Sequence, residues 1–209
     1  MTATDPGARL SRPISRRSFI RGVGGAVATT AIVPQLGWLA GCRPPTTKST
    51  ADWNGLAAQL HGHLLRPGDP SFAPNATPLN LRYADVQPQG VAVCSDAADV
   101  SACVRWAARN NVPLAVRSGG HSYAGYSSGP GLIIHVGEMA AVALDDATMT
   151  VTALPGARNT TIYDALQSHG VTISAGRCPT VAVGGLVLGG GIGFSSRKLG
   201  LTCDHLVEA

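Results

Sequence analysis

Two short stretches carry side chains able to act as nucleophiles in a loop setting. They are Arg117-Ser118-Gly119-Gly120-His121-Ser122-Tyr123-Ala124-Gly125 and Gly176-Arg177-Cys178-Pro179-Thr180-Val181. The apolar segment Val112 to Val116 leads into the first and reads as a strand. Paired glycines after it let the backbone turn sharply with no Cβ in the way. Successive N–H groups in such a turn form an anion-binding concavity. A histidine with a nucleophilic ring nitrogen follows directly. That order suggests a phosphate-containing cofactor gripped by backbone while a side chain bonds to its reactive part. Taken singly, each residue has a plainer reading: His121 as a turn histidine satisfying a carbonyl, Cys178 as a buried inert thiol.

Three motifs occur in order: R-S-G-G-H-S-Y-A-G, then G-R-C-P-T-V-A-V-G-G, then L-G-G-G-I-G-F-S-S-R-K-L-G-L. Together they resemble the FAD-linked oxidases with a PCMH-type flavin domain, in the berberine-bridge-enzyme-like branch. The resemblance runs from about Asn80 to Ala209. It implies an α+β fold of two small subdomains with the FAD between them, incomplete at the C-terminus. It also implies FAD held bicovalently, with His121 on the 8α-methyl carbon and Cys178 on C6. The positions matching the cofactor-binding motifs are Arg117, Ser118, Gly119, Gly120, His121, Ser122 and Gly125 in the first loop. In the second they are Gly176, Cys178, Pro179, Thr180 and Val181, and in the glycine-rich stretch Gly184, Gly185, Gly189, Gly190 and Gly191. That stretch, Val183 to Gly193, holds six glycines among eleven residues, mixed with Leu, Val and Ile. Its apolar residues predict buried backbone packed closely on a flat surface. In the resembled family it passes beside the isoalloxazine and pyrophosphate, and Val181 sits where oxygen approaches the ring. Family members usually carry aspartate where His135 stands. Substrate-facing acids and bases come from later sequence, so no catalytic base is assigned. The chain is read as an N-terminal fragment or a truncated gene product.

The elements that must position these loops follow from local pattern. Trp53, Leu56, Leu60 and Leu64 recur at helical spacing, and Pro67 to Pro78 reads as loop. Val91-Ala92-Val93 is a brief strand. Asp96 or Asp99 caps a helix that buries Val100, Cys103, Val104 and Ala107 and ends near Asn110-Asn111. Leu132 to Val136 is a buried strand, and the alternation over Thr148 to Ala153 predicts a half-buried antiparallel one. Thr160 to His169 is a helix stopped by Gly170. Val171 to Ser174 is a strand feeding the cysteine loop. No G-x-G-x-x-G or G-x-x-x-x-G-K-[ST] occurs, so nothing points to a Rossmann or P-loop unit.

The formal charge is +4 over 209 residues, with five of the 16 basic side chains before residue 22. From residue 43 onward 11 basic side chains meet 11 acidic ones, leaving no basic face for a nucleic acid. Ser15-Arg16-Arg17-Ser18-Phe19 resembles a twin-arginine export signal, and Gly22 to Ala40 is an apolar run broken by glycine and proline. Leu39-Ala40-Gly41-Cys42 matches a lipobox whose cysteine takes lipid. Residues 1–42 are thus a signal with lipobox, 43–79 a tether and N-terminal helix, and 80–209 the flavin domain. The expected location is the outer face of the bacterial cytoplasmic membrane, or secreted. A single membrane anchor is the other reading of the apolar run.

The five cysteines show no C-x-x-C or zinc spacing, and Cys94 with Cys103 reads as a pair of buried free thiols, with a disulfide between them as the alternative. His61 and His63 lie two apart on the expected helix and share no face, so no metal site is expected. The sequons at Asn75 and Asn159 are uninformative behind a bacterial export signal. The function expected is an oxidase that moves a hydride from a small organic substrate to FAD and then to O2. A lipid-anchored protein that sequesters a flavin-stacking compound without turnover is the second reading, and an inactive fragment the third.

Overall fold

The computed structural model describes residues 51–209. The twin-arginine pair, the apolar run, the Cys42 lipobox and the tether as far as Thr50 fall outside those residues. Within them the chain is a mixed α+β structure with two sheets. Strands β1 (His63–Leu65), β2 (Gly90–Val93), β3 (Leu114–Arg117) and β4 (Leu132–His135) form one, in the order β1-β2-β4-β3. Strands β5 (Val142–Asp145) and β6 (Thr150–Ala153) form an antiparallel hairpin. The helices in chain order are α1 (Trp53–Ala57), α2 (Phe72–Ala76), α3 (Ala97–Asn110), α4 (Asn159–Gln167), α5 (Val183–Leu188) and α6 (Ser196–Leu199).

The unbroken apolar run Leu132-Ile133-Ile134 marks a strand covered on both faces. Accordingly β4 lies inside the sheet, parallel to both β2 and β3. Leu132 and Ile134 pack with Ala92, Trp106, Ala107 and Val112, while Ile133 packs on the other face with Val91, Val93 and Phe72. Helix α3 covers the first face. The Asp96 carboxylate caps it by accepting from the Asp99 N–H at 3.0 Å, and Asn111 ends it in the left-handed region at φ 51°. Asp99 takes a different task. Fully buried, it accepts from the N–H groups of His61, Gly62 and Ser95 at 2.7–2.9 Å and so fixes the entry to β1. Cys94 and Cys103 are buried free thiols in the same core.

Val104, expected on the buried stripe of α3, is exposed, whereas Cys103 and Ala107 are buried as expected. The structure departs from sequence expectation at five further places, each with a local cause. Helix α1 stops at Ala57, and Leu64 lies on β1. Gly62 passes so close to β2 that a Cβ there would sit 2.0 Å from the Val93 carbonyl oxygen, so the chain runs extended beside β2. The stretch expected as loop contains α2, because Phe72 and Ala76 bury themselves one turn apart. The hairpin strand starts only at Thr150. The Asp145 carboxylate binds the Ala147 N–H and the Thr148 hydroxyl, and Met149 turns at φ 54°. Val171 to Ser174 makes no strand, although Val171 and Ile173 still pack against Ile162 and Leu166. In the glycine-rich stretch, Val183 to Leu188 is helical, and Leu188, Ile192 and Phe194 are exposed at 89%, 66% and 86%. Close backbone approach is real only at certain glycines: a Cβ on Gly184 would meet Pro155 at 2.8 Å, and one on Gly191 would meet Thr202 Oγ1 at 2.1 Å.

Candidate functional site

Arg117 ends β3 directly beside His135 at the end of β4. Ligands of parallel sheets collect at such carboxyl ends. The Arg117 side chain is only 4% exposed, and its guanidinium donates to the carbonyl oxygens of Ser127 (3.0 Å), Asn75 (2.5 Å) and Ala76 (3.1 Å) and to Ser128 Oγ (3.3 Å). It ties α2 and the returning loop to the strand end, and burial lowers its pKa below the ordinary arginine value. Ser118 then donates through Oγ to the Pro155 carbonyl oxygen at 2.5 Å, which links the strand end to the second subdomain.

Gly119 is where the two predicted loops meet. A Cβ there would stand 2.7 Å from the Ala182 nitrogen and 3.1 Å from the Thr180 carbonyl oxygen. Gly120 follows at φ 75°, a conformation that a Cβ penalises. These residues edge a cavity of about 480 Å³ between the four-stranded sheet and the hairpin subdomain, with Asn75, His135, Glu138, Arg158 and Thr180 also on its wall.

The cysteine loop is held by the start of α4. Asn159, wholly buried, donates through Nδ2 to the Cys178 carbonyl oxygen at 2.8 Å, while its backbone N–H donates to the Val181 carbonyl oxygen at 2.9 Å. The Thr160 N–H donates to the Pro179 carbonyl oxygen at 3.2 Å, and the Tyr163 hydroxyl to that of Gly176 at 3.0 Å. Gly176 accommodates the clamp, since a Cβ there would sit 2.7 Å from Asn159 Nδ2. The Cys178 side is left exposed.

The two predicted nucleophiles come together through a third residue. His121 Nε2 lies 2.9 Å from Thr180 Oγ1, and Cys178 Sγ lies 3.7 Å from the same hydroxyl. Partial burial lowers the His121 pKa below the ordinary 6.5, the Thr180 backbone opposes that, and the charge of Arg158 adds to it. The imidazole is therefore neutral at pH 7. His135 is lowered likewise, first by burial and then by Arg117, with Glu138 opposing and Arg158 assisting. His135 lines the cavity wall, and its Nδ1 is buried with no hydrogen-bond partner among the described residues.

The structure thus gathers Ser118, Gly119, Gly120, His121, Cys178 and Thr180 along one rim, with Pro179 and Val181 supplying carbonyls to the α4 clamp. Arg117 borders the cavity while its donors serve loop carbonyls and a loop hydroxyl. Ser122 caps its own turn, Oγ accepting from the Tyr126 N–H at 3.1 Å, and Gly125 turns at φ 77° against the Tyr83 ring. Gly184 packs on Pro155, Gly185 faces open space, and Gly189, Gly190 and Gly191 lie past α5 and outside the cavity wall. Sequence reasoning missed Arg158 and the clamp. Asn159 stood in view only as a sequon, and its place immediately before a predicted helix was the available signal. His61 was weighed in the sequence only against His63, yet its partner is on another element: Nδ1 is 2.6 Å from the Asp96 carboxylate, with Asp99 nearby, but both Asp99 oxygens are committed to N–H groups.

A family profile described as FAD binding domain matches residues 88–209. An FAD-linked oxidoreductase of Bacillus subtilis (strain 168) is 34% identical over 154 residues, covering 72% of this chain and 33% of the relative. Among solved structures, 6-hydroxy-D-nicotine oxidase from Arthrobacter nicotinovorans superposes with a TM-score of 0.67 at 30% identity, over 69% of this chain and 32% of that one. Glucooligosaccharide oxidase from Acremonium strictum, described with a 6-S-cysteinyl, 8α-N1-histidyl FAD, gives 0.66 at 30% identity, over 72% and 32%. The chain spans about a third of the length of these relatives.

Proposed function

The chain belongs to the FAD binding domain family, and from that premise we propose that the full-length protein is an FAD-dependent oxidase with its flavin attached through His121 and Cys178. The observation that carries this reading is the convergence on Thr180. His121 and Thr180 are 59 positions apart in the chain, yet the imidazole and the cysteine thiol both reach one hydroxyl at the cavity rim.

The residues present fit FAD. Gly119 and Gly120 both line the cavity: Gly119 is bare because the cysteine loop packs where its Cβ would stand, and Gly120, at φ 75° with nothing nearer than Arg117 Cδ at 3.7 Å, leaves backbone open to close approach of a diphosphate. Arg117 and Arg158 give the cavity wall two positive charges to offset phosphate. The proposed cofactor contacts remain the three stretches set out above, from Arg117 to Gly125, Gly176 to Val181 and Gly184 to Gly191. When bound, FAD supplies hydride acceptance from a substrate C–H bond and electron transfer to oxygen.

The protein's part is preparation. Burial and the Arg158 charge keep His121 neutral, so a ring nitrogen retains a nucleophilic lone pair. Exposure of Cys178 leaves its sulfur accessible, and the Asn159 clamp fixes the loop that presents it. Attachment suits a protein outside the cytoplasm, because a free cofactor would be lost there by dilution. Export by the twin-arginine route, with lipid on Cys42, is the matching proposal for location. Protein retained inside the cell on changing Arg16 and Arg17 to Lys is its check. Relatives named as oxidases favour turnover over sequestration.

Val181, at the rim of the same loop, is proposed to leave space for oxygen at the flavin. The test is reoxidation of the reduced full-length protein. Rapid reoxidation by O2 with stoichiometric peroxide is expected, slowed by Val181→Leu. Reoxidation that needs a dye or quinone would contradict the oxidase assignment.

A further inference from the structure

Thr180 Oγ1 stands between two reactive side chains, 2.9 Å from His121 Nε2 and 3.7 Å from Cys178 Sγ. A threonine hydroxyl carries one proton and two lone pairs. It can therefore accept from one neighbour while donating to the other, and only two polarities are available. In the first, Thr180 donates to Nε2, the ring proton sits on Nδ1, and the sulfur receives nothing. In the second, the Nε2 proton is donated to Thr180, and the Thr180 proton is free to point at the sulfur.

Several features choose between them. The Thr180 hydroxyl is the one side-chain partner of the imidazole among the described residues, and a ring proton on Nε2 pairs with that protein acceptor, whereas a proton on Nδ1 would meet only solvent. The Thr180 backbone also acts on the ring as an acceptor would, favouring an N–H. Arg158 discourages a second ring proton. The sulfur side fits as well. A thiolate is a pure acceptor, and a charged acceptor takes a hydroxyl proton more strongly than a neutral one.

We infer that Thr180 is a positioning residue that holds His121 as the Nε2–H tautomer, leaving the Nδ1 lone pair free, and offers its own proton to the Cys178 sulfur. One hydroxyl thereby prepares two nucleophiles at once, and the histidine atom it exposes is Nδ1. The polarity of this relay stands on the chain's own atoms, whereas its purpose rests on the flavin-attachment reading above.

The test uses full-length protein made in riboflavin-starved cells, so that both side chains are free. Ring-nitrogen NMR shifts of His121, assigned with His121→Gln, read the tautomer. The rate of Cys178 alkylation by iodoacetamide at fixed pH reads the thiolate. The wild type should show the Nε2–H form. Thr180→Val, which keeps the shape and removes the hydroxyl, should mix the tautomers and slow alkylation about tenfold, the size of one hydrogen bond to a charged group. Thr180→Ser should restore both. Thr180 is exposed, and Thr180→Ala serves as the second variant if the valine perturbs folding. An Nδ1–H wild type, an unchanged Thr180→Val, or a serine that restores nothing would overturn the inference. Flavin attachment is then scored separately on protein supplied with FAD. A confirmed tautomer in a wild type that never attaches flavin would remove the functional reading and leave the relay standing.

Discussion

Asn159 Nδ2 donates to the Cys178 carbonyl oxygen at 2.8 Å, so the first residue of α4 holds the loop that carries the exposed thiol. Asn159 is completely buried, and its Oδ1 has no partner among the described residues. One oxygen is thus left unpaired for the sake of the clamp. Asn159→Ala strands a buried carbonyl and should destabilise the protein by about 1–3 kcal/mol. For a domain of this size that corresponds to a fall in Tm of roughly 2–4 °C per kcal/mol. Releasing the loop should also lower flavin attachment at Cys178; thermal melts check the first effect, and flavin retained by the denatured variant checks the second. A variant with wild-type Tm would contradict the clamp.

The glycine-rich stretch separates fold from ligand. A Cβ on Gly191 would sit 2.1 Å from Thr202 Oγ1, at φ 77°, so Gly191→Ala should lower expression and Tm. Gly185 lies within α5 with nothing within 4 Å of the added atom. Gly185→Ala should therefore leave the apoprotein unchanged or stabilise it by about 0.5–1 kcal/mol. If Gly185 borders the flavin as its motif implies, the same variant should bind FAD more weakly. A gain in Tm with full FAD affinity would place the cofactor elsewhere.

How far the chain could be read in advance depended on what each residue answers to. The glycine loop was legible because Gly119 and Gly120 answer to backbone geometry, which sequence states directly. Buried strand β4 was legible because its short run of branched apolar residues is bounded by Gly129-Pro130-Gly131 and Gly137, which leave too little length for a helix. Leu64 misled, because a leucine four positions after Leu60 satisfies a helix and a two-sided strand equally. Only pairing with β2 decides between them. Leu188, Ile192 and Phe194 misled in another way: apolar character predicts burial, and here those side chains are exposed. The roles of Asn159, Arg158 and Thr180 depend on a contact made some 20 to 60 positions away, which no local pattern encodes.

The histidines set a pH dependence whose sign follows from their shifts. His121 and His135 both have folded pKa values below the ordinary 6.5, chiefly through burial. The unfolded chain therefore binds more protons between those values, and stability rises with pH across that window. Acidification below 6.5 should lower Tm, and the loss should level off once pH has passed the depressed values. His61 works oppositely, because Asp96 raises its pKa, so its contribution is present below 6.5 and fades above. His135→Gln should flatten the acid side of the Tm curve. A wild-type slope in that variant would show that His135 does not contribute to it.

Bicovalent attachment is the central claim, and flavin retention after denaturation tests it most directly. Full-length wild type, His121→Ala, Cys178→Ala and the double variant are run on a denaturing gel and viewed for flavin fluorescence and colour. The account predicts a flavin-bearing band for the wild type and for each single variant, because nucleophiles on the 8α-methyl carbon and on C6 attach independently. It predicts complete release from the double variant. A wild type that gives up all its FAD on denaturation, or a double variant that keeps it, would contradict the assignment of His121 and Cys178.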